Sequence, residues 1–142
     1  MPFEPQTLPI NGSIATQVLD PTGQNPSNLI IQFPDAWAVR VVWSVAGDAV
    51  PMMAAAAQWR LRVSLESLGP GLEAEVGFIS EPVGAPAAIH NYDRTINIPG
   101  NFPGLTPGAY KLVTVLTLDN GGLPVPIAAY AEGPVIQFYQ FP

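Results

Sequence analysis

His90 is the only histidine in a chain of 142 residues that has no cysteine. With Asp93 three residues further on it is the sole candidate base for a serine or threonine nucleophile, a reaction that needs an imidazole beside the hydroxyl and a carboxylate to orient the ring. That spacing is too generic to define such a centre, and no Gly-x-Ser-x-Gly sequence accompanies it. The other acid–base candidates are Glu66, Glu73 and Glu75, which flank the turn sequence Leu68, Gly69, Pro70, Gly71. Two carboxylates across a glycosidic bond hydrolyse it. A four-residue loop over 68 to 71 sets Glu66 opposite Glu73, where like charges repel. The sequence leaves three resolutions open: a bound cation, a different register, or neutralisation by Arg40, Arg60 or Arg62 from neighbouring strands, of which the solvated charge ladder is the simplest. A calcium loop needs more oxygen ligands than these segments carry, and one histidine without cysteine cannot build a multi-histidine or thiolate metal site. The expectation is a protein that is not an enzyme, with no catalytic residue, cofactor or metal.

Trp37, Trp43 and Trp59 raise a second possibility, since exposed tryptophans on a sheet stack on sugar rings. Parity opposes it. Trp37, Val39, Val41, Trp43 and Val45 share one face of a period-two strand, and Trp59, Leu61, Val63 and Leu65 share one face of another. Both faces are apolar enough to be core. A carbohydrate or small-ligand binding module built instead from Tyr92, Tyr130 and Tyr139 is the alternative function.

The elements that must carry these residues are strands. Seventeen prolines and thirteen glycines punctuate short β-branched and aromatic segments, and no helical period is sustained. Residues 1 to 12 form an extended, proline-rich entry and 20 to 28 a loop. Strands are expected at Ser13 to Leu19, Leu29 to Phe33, Ala36 to Val45, Trp59 to Leu65, Leu72 to Ile79, around Thr95 to Ile98, Tyr110 to Leu118, Pro124 to Ala131 and Pro134 to Phe141. The phrase Trp, any, aliphatic, Arg, Val occurs at Trp37 and again at Trp59, and reads either as an internal repeat or, more simply, as two amphipathic strands of one sheet. Tyr110 to Leu118 is apolar on both parities, as a central strand is. Gly47 to Gln58, with Pro51, Met52, Met53 and four alanines, reads either as an adaptable apolar contact loop or as a plug over an open end of the fold.

The stretch Ile96, Asn97, Ile98, Pro99, then Leu105, Thr106, Pro107, Gly108, Ala109, Tyr110 to Val115 resembles the strand-crossing corner of an immunoglobulin-like or fibronectin type III-like β-sandwich. The likeness runs from Thr95 to Phe138. It implies that Tyr110 buries its ring and returns its hydroxyl to the backbone of the corner. Residues 1–142 are thus expected to form a single all-β domain, an antiparallel, immunoglobulin-like sandwich of about eight or nine strands. A resemblance of this kind implies fold and says nothing of activity.

Function is bounded by charge. Only 16 side chains are Asp, Glu, Lys or Arg, which is 11% against about a quarter in ordinary soluble domains, while 48% of the residues are hydrophobic. A net charge of −6 opposes nucleic acid and anionic membranes as partners. No apolar stretch is long enough for membrane insertion, and the N-terminal Met1, Pro2, Phe3, Glu4, Pro5 is unlike a secretory signal, so a cytoplasmic location is expected. An uncharged surface is expected to meet protein. The sequence points to a protein-interaction or self-assembly module, a homo-oligomer or the partner of another chain, with Ala36, Ala38, Val42, Pro51, Met52 and Met53 as the contact residues.

Overall fold

The computed structural model describes residues 10–22, 29–48, 50–53, 55–69, 73–121 and 123–140. The proline-rich entry up to residue 9, most of the loop expected at 20 to 28, and the Pro70 and Gly71 corner lie outside these residues. Among the described residues eight strands form: β1 Asn11–Leu19, β2 Ile30–Gln32, β3 Trp37–Ala46, β4 Gln58–Ser67, β5 Ala74–Pro82, β6 Ile89–Ile98, β7 Gly108–Asn120 and β8 Leu123–Tyr139. They make two sheets, one of three strands in the order β1-β3-β6 and one of five in the order β2-β8-β7-β4-β5. The result is an all-β, two-sheet architecture consistent with a β-sandwich. It is not wholly antiparallel, because the three residues of β2 run parallel to Gln137, Phe138 and Tyr139 of β8.

The core lies between the inward parities. Trp37, Trp43 and Trp59 are buried there with Val39, Val41, Leu61, Val63 and Leu65, as the alternation predicts. The two tryptophan phrases nevertheless belong to opposite sheets, β3 pairing with β1 and β6 while β4 pairs with β5 and β7. They face each other across the core instead of lying side by side in one sheet. The link between them is a plug: Val50 is fully buried, Ala57 nearly so, and Met53 packs against the core.

β7 is central, flanked by β4 and β8, which explains its apolar residues on both parities. At its start the Tyr110 hydroxyl donates to the Thr106 carbonyl at 2.7 Å, the bond that the resemblance implies. Removing it by Tyr110→Phe is expected to lower stability by about 1 kcal/mol in urea unfolding, the net worth of such a bond. Thr114 is fully buried on the same inward parity and its hydroxyl has no partner. Thr114→Val is isosteric and removes an unsatisfied group, so it is expected to raise the unfolding free energy by about 1 kcal/mol.

The β7–β8 hairpin closes through Gly121, which adopts φ 61°, with Asn120 paired to Leu123. β8 then runs unbroken through a region where two strands are expected. Its register against β7 shifts twice, between Thr117 and Leu118 and between Lys111 and Val113; the expected break falls at the second. There a Cβ on Gly133 would lie 2.9 Å from the Leu112 side chain, so the missing side chain lets the strand pass over Leu112. Pro134 follows at the same irregular point, where a missing backbone N–H is tolerated.

Candidate functional site

Charge divides between the two outward faces. On the five-stranded sheet, Arg60 pairs with Asp119 at 3.0 Å, Arg62 with Glu75 at 3.8 Å and Lys111 with Glu132 at 2.6 Å. The register joins Leu65 to Ala74 and so sets Glu66 beside Glu73, as the four-residue loop requires, while Lys111 stands opposite Glu66 on the other side. Arg62 also lies over the exposed Phe78 ring at 5.6 Å. Of the arginines expected to neutralise the turn carboxylates, Arg62 alone reaches one, Glu75, while Arg60 and Arg40 pair with Asp119 and Asp93.

The three-stranded sheet is different. Its register stacks five outward rows: Asn11–Ala46–Ile89, Ser13–Ser44–Asn91, Ala15–Val42–Asp93, Gln17–Arg40–Thr95 and Leu19–Ala38–Asn97. Five rows of three give fifteen positions, and Arg40 and Asp93 are the only charged ones. These two neutralise each other through a bidentate bond, Nε to Oδ1 at 2.9 Å and Nη2 to Oδ2 at 2.5 Å. Hydrogen bonding to Arg40 holds the Asp93 carboxyl below the usual carboxylate range, and Asp93 raises the Arg40 guanidinium in turn. The remaining side chains are small, amidic or aliphatic, and the Ser13 and Ser44 hydroxyls bond to each other at 3.0 Å. The face therefore has no net charge, on a chain whose net charge is −6. Val42 at its centre is 40% exposed and Ile89 at its corner 60%.

The expected contact residues separate on this map. Val42 belongs to the face and is exposed, Ala36 is exposed just before β3, and Ala38 sits in the last row but is buried beside Leu19 and Asn97. Pro51 is exposed at the far end of β3, Met53 is half-buried against the core, and the Met52 side chain lies outside the described residues. Sequence reasoning missed Ile89, Asn91, Thr95, Asn97 and the β1 contribution, because only the cross-strand register brings them beside Val42.

His90 and Asp93 fall on opposite faces of β6. His90 points inward, stacked on Tyr92 at 5.9 Å, while Asp93 points outward to Arg40. Tyr92 in turn stacks on Trp43 at 5.0 Å and donates its hydroxyl to the Val83 carbonyl at 2.8 Å. Burial holds that hydroxyl above its ordinary pKa, opposed by the nearby Trp59 indole N–H, which falls short of hydrogen-bond geometry. Tyr130 is exposed on the charged face and donates to Glu132 at 2.8 Å. The three tyrosines weighed for a sugar site do not share a surface: Tyr92 is in the core, Tyr130 faces outward, and Tyr139 ends β8 beside β2.

The fifth ion pair, Arg94 with Glu81, joins the edges of β6 and β5 and so bridges the two sheets. All five cations of the chain are thereby matched to carboxylates within it. Among the described residues no group of three or more His, Cys, Asp or Glu could hold a metal, and no helix is long and apolar enough to cross a membrane. Comparison with protein-family models, with curated proteins and with solved structures finds no match.

Proposed function

We propose that the protein is a non-enzymatic self-assembly module of immunoglobulin-like type, and that two copies meet through the outward face of β1, β3 and β6. The observation that carries this reading is the segregation of charge: the molecule is acidic, yet this one face is neutral. Copies carrying −6 repel each other least through a surface without net charge. Small uncharged side chains also lose little conformational entropy when covered. The finer fold assignment draws support from the tyrosine bond at the β6–β7 corner and from the strand orders, with consecutive strands crossing between sheets as in immunoglobulin-like domains.

Three strands about 4.8 Å apart and about 33 Å long present on the order of 500 Å² per copy. A pair then buries roughly 1,000 Å², the lower edge of specific interfaces. The association is correspondingly weak, with dissociation expected at about micromolar concentrations. Sedimentation velocity over a dilution series tests this: a dimer that dissociates on dilution is expected, and a monomer at every concentration up to about millimolar, well past the weak end expected of so small an interface, refutes self-assembly.

The pH dependence has two limbs. From pH 7 down to the isoelectric point near 4.4 the acidic repulsion disappears, so association is expected to strengthen. The depressed pKa of Asp93 keeps its bond to Arg40 intact as pH falls through the usual carboxylate range. As pH falls through that depressed value the bond is lost and Arg40 stands unpaired on the face. Association is expected to weaken again only below the usual carboxylate range, read by the same sedimentation series.

A further inference from the structure

The two sides of the sandwich are closed differently. Between β5 and β6 the sheets are drawn together by Arg94 and Glu81 and by the close approach of Gly77 to Ile96, where a Cβ would come within 2.5 Å of the isoleucine. Between β1 and β8, on the other side, lies a cavity of about 380 Å³. That volume is within the range of small-molecule sites. Ile10 and Ile14 form one wall and Ile127 and Ala129 the other, over a floor of Trp43 and Leu116. Asp, Glu, Lys, Arg and His are all missing from its lining. Among the described residues both walls are also strand edges: β1 has no neighbour on this side, and β8 at residues 127 to 129 has none because β2 reaches only Gln137–Tyr139.

We infer that this cavity is a binding site for a small uncharged amphiphile, an aliphatic chain ending in a hydroxyl or carbonyl. The apolar walls take the chain, and the unpaired backbone groups along the edge of β1 offer hydrogen bonds to a neutral head at the rim. A carboxylate or ammonium head is disfavoured, because the lining holds no counter-charge and every cation of the chain is already engaged. The site does not depend on the assembly proposal, since a monomer has it too, although Asn11, Ser13 and Ser44 of its lining also belong to the neutral face.

The test compares 1-octanol with octanoate, which share a chain and differ in charge, by tryptophan emission and isothermal titration at pH 7. Saturable octanol binding at least about tenfold tighter than octanoate is expected. Octanol without a saturable response, or octanoate binding equally well, overturns the assignment on the wild-type protein alone. Ala129→Phe fills the cavity and Ile10→Glu places a charge at its rim, and in each variant octanol affinity is expected to fall at least about tenfold with thermal unfolding as the check on folding. Wild-type affinity in both folded variants also overturns it.

Discussion

Val42→Glu is expected to weaken self-association about a hundredfold while leaving the monomer folded. Val42 occupies the middle row of the neutral face, between Ala15 and Asp93. In a two-fold pair the new carboxylate is buried near its own copy and beside Asp93, with the only cation of the face already bound to Asp93. Breaking charge balance in a covered interface costs about 3 kcal/mol or more, which corresponds to roughly two decades of affinity. In the separated monomer the same side chain stands in water at a 40% exposed site, and the change in unfolding free energy is expected to stay within about 1 kcal/mol. Sedimentation and urea unfolding on one sample separate the two effects. Val42→Thr keeps the face neutral and is expected to associate much as the wild type does.

The second large effect concerns the core. Trp59→Ala is expected to cost about 3–5 kcal/mol, a third or more of the total stability of a small domain. Trp59 is 1% exposed and meets Tyr92 edge-on at 6.0 Å. Its removal empties the layer between the sheets at the point where β4 faces the Trp43–Tyr92 stack, and it cannot be refilled by a neighbour held in a ladder. The urea midpoint is expected to fall by about 2 M. A fall of less than about 0.5 M would show that the tryptophan is not packed as described.

Much of this arrangement is legible in the chain. Alternation places Trp37, Trp43 and Trp59 inward and marks β7 as central, and a four-residue loop gives the β4–β5 hairpin its pairing of Leu65 with Ala74, up to the register shift between Val63 and Ser64. Tyr110, Gly108 and Thr106 announce the corner. Other features depend on information that no local pattern holds. The two tryptophan strands look alike because each lines the core, and a strand's own pattern does not say from which side it does so. β6 is longer than its sequence suggests because His90 and Arg94 occupy its inward parity, one stacked on Tyr92 and one paired with Glu81, and so blur the apolar alternation. β8 passes through Gly133 and Pro134, which read as a break but sit at a register shift. Ala38 alternates outward and is still covered, since its neighbours overhang a side chain of one carbon.

The neutral face illustrates the same limit. Charge poverty is plain from composition, yet its location arises only when β1, β3 and β6, drawn from three distant parts of the chain, fall into register. Val42 is the one central residue of that face that strand parity picks out. Pro51 and Met53, chosen because apolar residues in a connection suggest a contact loop, lie on a segment anchored by the buried Val50 and Ala57, with Pro51 exposed and Met53 half-buried.

The claim that copies meet through this face is tested most directly by amide NMR shifts recorded across a dilution series. Concentration-dependent shifts are expected to concentrate in β1, β3 and β6, centred on Ala15, Val42 and Asp93, and to vanish in Val42→Glu. Shifts confined to β4, β5 and β7, or none at concentrations where the protein is dimeric, would contradict it.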